Sequence, residues 1–129
     1  MAVGRGEICI VGTYFDVSSG FQRLRVYRLA VEFSDEIYRS VARWPLLPRN
    51  SFGFQLIRSA DSVGANIAEA TGRWHVADKR RLLVIARGSL YETEHWLDRA
   101  EQRGLLPLGS TARLEEIARL LNGMIKTPT

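Results

Sequence analysis

Glu92 and His95 stand three residues apart in "ETEH". Di-iron helical bundles use this carboxylate–imidazole spacing twice, with further glutamates from other helices. Here it occurs once. The only other histidine, His75, has Gly72 three positions before it, so a di-metal centre lacks half its ligands. A metal-dependent nuclease needs clustered carboxylates, and Glu92, Glu94 and Asp98 are clustered. Their pattern resembles a solvated or inter-subunit face more closely. No Ser-His-Asp grouping, phosphate loop or zinc spacing is visible. Cys9 is the one cysteine, so neither an internal disulfide nor a cysteine metal cluster can form. These residues point away from an enzyme and from a cofactor.

The basic residues carry more. Eighteen Lys and Arg stand against fourteen Asp and Glu, for a net charge of +4 and a pI near 9.7. Only Lys79 and Lys126 are lysines; the other cations are arginines, which suit bidentate phosphate contacts and stacking on bases. A GC-rich coding sequence would also favour arginine. From Arg73 to Arg87 the cations Arg73, Lys79, Arg80, Arg81 and Arg87 face one anion, Asp78. From Glu92 to Glu101 the anions Glu92, Glu94, Asp98 and Glu101 face one cation, Arg99. Arg80, Arg87, Glu94 and Glu101 recur every seven residues, so one helical stripe is basic in its first half and acidic in its second. Cations at a helix N-terminus oppose the macrodipole by roughly 0.3–1 kcal/mol each. A phosphate backbone, the acidic half of a neighbouring subunit or simple solvation would compensate.

Arg23, Arg25 and Arg28 extend the basic set in an earlier helix, and Trp74 in "GRWH" offers a stacking surface or a loop plug. The candidate nucleic-acid site is therefore Arg23, Arg25, Arg28, Arg73, Trp74, Lys79, Arg80, Arg81 and Arg87. A second set lies in "SADSVGANIAEATGR". Asn66, Glu69 and Arg73 share one side at spacings of three and four. Glu69 and Arg73 can pair, with Asn66 bonding a loop backbone, or all three can line a subunit interface. Gly64 costs a helix roughly 1 kcal/mol against alanine, which close approach of a neighbouring backbone, here or at Gly88, would offset. Gly64, Asn66, Glu69, Arg73, Glu92 and Glu94 form the candidate oligomer interface.

Four amphipathic helices must position these residues. In the first, from Phe21, Leu24, Tyr27, Val31, Ser34, Tyr38 and Val41 form one stripe. Val26, Ala30, Phe33, Ile37 and Trp44 form another. "WPLLPRN" ends it, because Pro45 and Pro48 cannot continue it. Ser51 is a candidate N-cap for the second helix, whose core line is Leu56, Ile57, Ala60, Val63, Gly64, Ile67 and Ala70, with Gly72 ending it. The third spans 76–103, with Leu82, Ala86, Ser89, Thr93, Trp96 and Ala100 on one heptad line and Leu83, Leu90 and Leu97 on another; Gly104 stops it. The fourth opens near Ser110 or Thr111, buries Leu114, Ile117, Leu121 and Met124, and ends at Gly123 or soon after.

Short connections predict an all-α, antiparallel up-and-down four-helix bundle over 21–126, with a three-residue tail. Residues 1–20 read as a weakly ordered extension in which "ICIVGTYF" could be a short strand without an obvious partner. No apolar run approaches a membrane span, the start is a poor signal peptide, and a reducing cytoplasm suits the lone cysteine.

"SVGANIAEATGR" is similar to the "IPSNIAEGxGR" signature of a bacterial four-helix-bundle family. That family is named for members encoded within intervening sequences of large-subunit ribosomal RNA genes. "FQRLRVYRLAVEFSDEIYR" resembles its opening helix, "ARGSLYETEHWLDRAEQRGLL" resembles "ALGSLxELExxLxxAxxxGYL", and "LNGMIK" resembles its closing helix. Ala70 stands where the family carries Gly, and Ser62-Val63-Gly64-Ala65 replaces "SIPS". The resemblance implies a ring of five with a central channel, association with structured RNA or DNA, and no enzymatic activity. Through distant relatives, the accessory proteins of diversity-generating retroelements, it implies a reverse transcriptase as an alternative partner. The expectation is a non-enzymatic, cytoplasmic, oligomeric bundle that binds nucleic acid through a basic surface. The alternative is a protein-interaction scaffold.

Overall fold

The computed structural model describes residues 7–10, 13–16, 20, 24–107, 109 and 111–128. Four long helices dominate: α1 (Arg25–Val41), α2 (Phe54–Thr71), α3 (Val76–Gln102) and α4 (Ala112–Lys126). Each is antiparallel to the next. α1 packs on α2, α2 on α3, α3 on α4, and α4 returns to α1. The α2–α3 packing is the most extensive.

The core follows the helical periodicity. On α1 it is the stripe Val26, Ala30, Phe33 and Ile37, continued by Trp44, that turns inward, joined by Ser34 and Val41. Tyr38 is left 61% exposed. The two stripes are therefore not equally buried: a helix at one corner of a four-helix bundle covers little more than a third of its circumference. Leu56, Ala60, Val63, Ile67 and Ala70 of α2 meet Leu82, Leu83, Ala86, Leu90, Leu97 and Ala100 of α3 and Leu114, Ile117 and Leu121 of α4.

The α1–α2 connection departs from expectation. α1 stops at Val41, but Pro48 lies inside a new helical turn, Leu46–Pro48, which passes through one π turn, Arg49–Gly53, straight into α2. Proline is tolerated there because the first turn of a helix needs no N–H donor. Ser51 is consequently not an N-cap. It sits within the π turn, and its Oγ donates to the Leu47 carbonyl at 2.8 Å. The wider turn lets consecutive residues Phe52 and Gly53 both face inward. Phe52 packs on Trp44 (5.2 Å between ring centroids) and Trp96 (6.2 Å), with the Arg103 guanidinium 4.7 Å above its ring.

Gly104 ends α3 as expected, with φ at 73°. The Leu105 N–H bonds the Ala100 carbonyl and the Gly104 N–H bonds that of Glu101, the paired closure in which glycine follows a helix. α4 runs through Gly123 to Lys126. Near the N-terminus, Glu7–Ile10 pairs antiparallel with Thr13–Asp16. The expected single strand is thus two, and each is the other's partner. No helix among the described residues is long and apolar enough to cross a membrane.

Candidate nucleic-acid interface

Antiparallel packing brings the start of α1, the end of α2, the start of α3 and the end of α4 to one end of the bundle. Leu24, Thr71, Lys79 and Met124 line one cleft there. Arg25, Arg28, Arg73, Lys79, Arg80 and Arg81 all belong to the helix ends or turn at this end of the molecule, and Lys126 joins them from α4. Trp74, in the turn between α2 and α3, is 90% exposed. It stands in solvent as a bare ring, not as a loop plug. Arg23 lies outside the described residues.

These cations are not equivalent. Arg80 Nε donates to the Ile125 carbonyl at 3.0 Å, and Arg87 Nη1 donates to Asn122 Oδ1 at 2.9 Å. For Arg80 and Arg87, compensation is therefore supplied by this chain's own α4. Its C-terminal carbonyls form the negative pole of an antiparallel helix dipole. Farther along the stripe, Glu94 borders α4 beside Leu114 and Ala118, and Glu101 accepts from the Gly109 N–H, in the connection before α4, at 3.1 Å.

Arg25 is paired with Glu116 of α4 at 2.5 Å. Its hydrogen bond to that carboxylate, then its charge interaction with it, raises the guanidinium further above its ordinary value. Arg73 is paired with Glu69 at 2.7 Å, one turn back. Arg28, Lys79 and Arg81, and Lys126 of α4, form no ion pair among the described residues and are open to an outside anion.

The second candidate set is largely occupied within the chain. Gly64 is buried under α1, but a side chain there would meet the Val31 and Tyr27 side chains at 3.4 and 3.7 Å, ordinary contacts, so the expected close approach of a neighbouring backbone does not occur there. Gly88 has open space around it, so no close approach occurs there either. Asn66 bonds no loop. Its Nδ2 donates to the carbonyl (2.8 Å) and Oγ (3.0 Å) of Ser62, one turn back on the same helix. Ser62 in turn lies 2.8 Å from Ser89 Oγ across the α2–α3 seam. Glu92 Oε2 accepts from Arg58 (3.0 Å) and Trp96 Nε1 (3.1 Å), while the His95 ring meets the Trp96 ring edge-on at 4.8 Å. Glu92 and His95 thus have separate engagements. Among the described residues no group of three His, Cys, Asp or Glu side chains is placed to hold a metal ion.

Sequence reading missed Ser34 and Asp61 as partners. The buried Ser34 hydroxyl donates to Asp61 across the α1–α2 seam. A serine on an otherwise apolar stripe was the available signal.

Fold and surface together define an antiparallel four-helix bundle with a cationic end and an unshielded aromatic ring. The chain belongs to the 23S rRNA-intervening sequence protein family, whose model matches residues 22–127. That match covers all four helices. No curated protein matches it.

Proposed function

We propose that this protein is a non-catalytic, self-assembling bundle that binds structured RNA or DNA in the cytoplasm, without a cofactor, through the end of the molecule that carries Arg28, Lys79 and Arg81. The observation behind this reading is that these three cations lack acidic partners among the described residues, while Trp74 projects from the turn just before Lys79 and Arg81. Phosphate neutralisation supplies affinity and makes it salt-dependent; an exposed aromatic adds sequence-tolerant stacking. The family's association with a ribosomal RNA insertion is consistent with an RNA ligand. Assembly, a ring of five by family resemblance, would use the exposed outer stripe of α3, with Val84, Ile85 and Tyr91, together with the Glu69–Arg73 pair.

A salt titration on an RNA hairpin tests it. Affinity falls as salt rises. Lys79→Glu with Arg81→Glu lowers both the affinity and the steepness of that fall, by ~1 in log–log slope for each phosphate that is no longer neutralised. Affinity indifferent to salt and to both substitutions rejects the reading.

Apolar exposure at Leu46, Leu47 and Phe54 favours a second reading, a protein-interaction scaffold such as an accessory subunit of a reverse transcriptase. Binding carried by that apolar end, with the cationic end dispensable, would distinguish it.

A further inference from the structure

The cleft between the four helix ends has a volume of about 340 Å3 and is lined chiefly by Leu24, Ala70, Thr71, Lys79, Leu83 and Met124. That lies within the ~300–1,000 Å3 range of small-molecule sites, whose walls are mostly apolar with a few placed polar groups. Its charge sets it apart. The four other clefts described each carry at least one carboxylate: Glu36, Asp61, Glu116 and Glu94 respectively. This one carries a lysine and no carboxylate. Its polar equipment is suited to a planar heterocycle. Lys79 is a donor for a phosphate or a ring oxygen. Thr71 Oγ1 gives its own proton to the Ile67 carbonyl (3.1 Å), so it meets a ligand as an acceptor. A ligand with a flat apolar body, N–H and C=O edges and an anionic tether has the matching chemistry.

We propose that this cleft receives one unpaired nucleobase, so that the cationic end prefers RNA with a bulged nucleotide over a continuous duplex. The proposal rests on the nucleic-acid reading above and adds what that reading leaves open, the form of RNA preferred. In a duplex, every base is stacked and paired, and only the backbone reaches the cations. An extruded base adds burial against Leu83 and Met124 while its phosphate stays beside Lys79. Lys79 and Thr71 flank the turn that carries Trp74, so a neighbouring base has an exposed ring to stack on.

The test uses the full chain and two RNA hairpins of identical stem sequence, one with a single unpaired 2-aminopurine in the stem. The bulged hairpin is expected to bind about tenfold tighter, with a saturable change in 2-aminopurine fluorescence. Thr71→Trp, an exposed position at the end of α2, fills the cleft mouth. It should reduce bulged-hairpin affinity to that of the paired hairpin and leave the latter unchanged. Thr127→Trp, at another exposed residue that lines the cleft, does the same if the first variant folds poorly. Equal wild-type affinity for the two hairpins, or a preference that survives cleft filling, overturns the proposal and leaves phosphate-mediated binding standing. Binding to neither hairpin overturns both.

Discussion

The α2–α3 seam and the α1–α4 seam close the same bundle by different physics. Along α2–α3 small hydroxylated side chains let the helices come together. Thr93 Oγ1, fully buried, donates to Ser59 Oγ at 3.0 Å with the Ser89 carbonyl 2.8 Å away as its alternative acceptor. Ser59 itself donates to the Leu56 carbonyl. No charge enters this layer; the Arg58–Glu92 pair stands outside it, with exposed side chains. Along α1–α4 the links are exposed ion pairs of alternating sense, Arg25–Glu116 and Glu36–Arg113, both at 2.5 Å. Buried hydroxyls impose a fixed register, because an unmatched one costs its full desolvation. Exposed charges impose little, because water and salt replace the partner. The α2–α3 contact therefore has a fixed register, while α4, beyond its buried Leu114, Ile117 and Leu121, meets α1 through ion pairs that ionic strength weakens.

The largest expected effect is at the apolar layer. Ile67→Ala on α2, at a fully buried site, is expected to cost ~2–5 kcal/mol, seen as a lower urea midpoint at unchanged slope. A smaller loss would mean that the α2–α3 layer can collapse around a cavity. Next comes close approach. A side chain at Gly53 would lie 2.8 Å from Val41 Cγ1 and 3.1 Å from the Pro48 carbonyl, so Gly53→Ala is expected to cost ~1–3 kcal/mol. At Gly64 the same substitution meets only ordinary contacts, and Gly64→Ala is expected to be neutral or to stabilise by up to ~1 kcal/mol through helix propensity.

Thr93→Val keeps the shape and removes the hydroxyl; a loss of about 1 kcal/mol, unaffected by salt, is expected. Glu116→Gln has the smallest effect and is the only one sensitive to salt and pH. Arg25's hydrogen bond, and then its charge, holds the Glu116 carboxyl below the usual range, against a desolvation that acts the other way. A carboxylate depressed in the folded state stabilises fully above its unfolded pKa, about 4.3. That stabilisation disappears as pH falls through the folded value. Wild type and variant should therefore differ near neutral pH at low salt, and converge in strong acid or in about 1 M salt. A difference that persists at that ionic strength would put this seam in the same class as α2–α3.

Much of this was legible beforehand because helical periodicity is a local signal. The Leu82, Ala86, Thr93 and Ala100 line on α3, the Leu114, Ile117 and Leu121 edge on α4, and the stop at Gly104 follow from spacing and backbone preference alone; Gly72 also follows the last residue of α2, but with a φ of −82° that any residue adopts. Ser51 misled because serine before an apolar run also occurs inside a widened turn, and only the burial of Phe52 and Gly53 together reveals the π geometry. Tyr38 and Ser34 share one stripe yet part company in burial, because two adjacent stripes cannot be ranked until the neighbouring helices are fixed. At the candidate site the membership of the cationic end was readable as a run of Arg and Lys. Which of those cations remain available was not, because Arg25, Arg80 and Arg87 find their partners 91, 45 and 35 positions away.

The sequence by itself determined four amphipathic helices, their order and their polarity, since these depend on interactions within a few residues. Antiparallel order then placed the basic start of α3 beside the end of α4. Tertiary structure decided the rest: which cations are consumed, that Gly53 is the crowded glycine while Gly64 has room for a methyl group, and that a carboxylate-free cleft opens where four helix ends meet. Those outcomes are set by distances between segments far apart in the chain, and no local pattern of residues encodes such a distance.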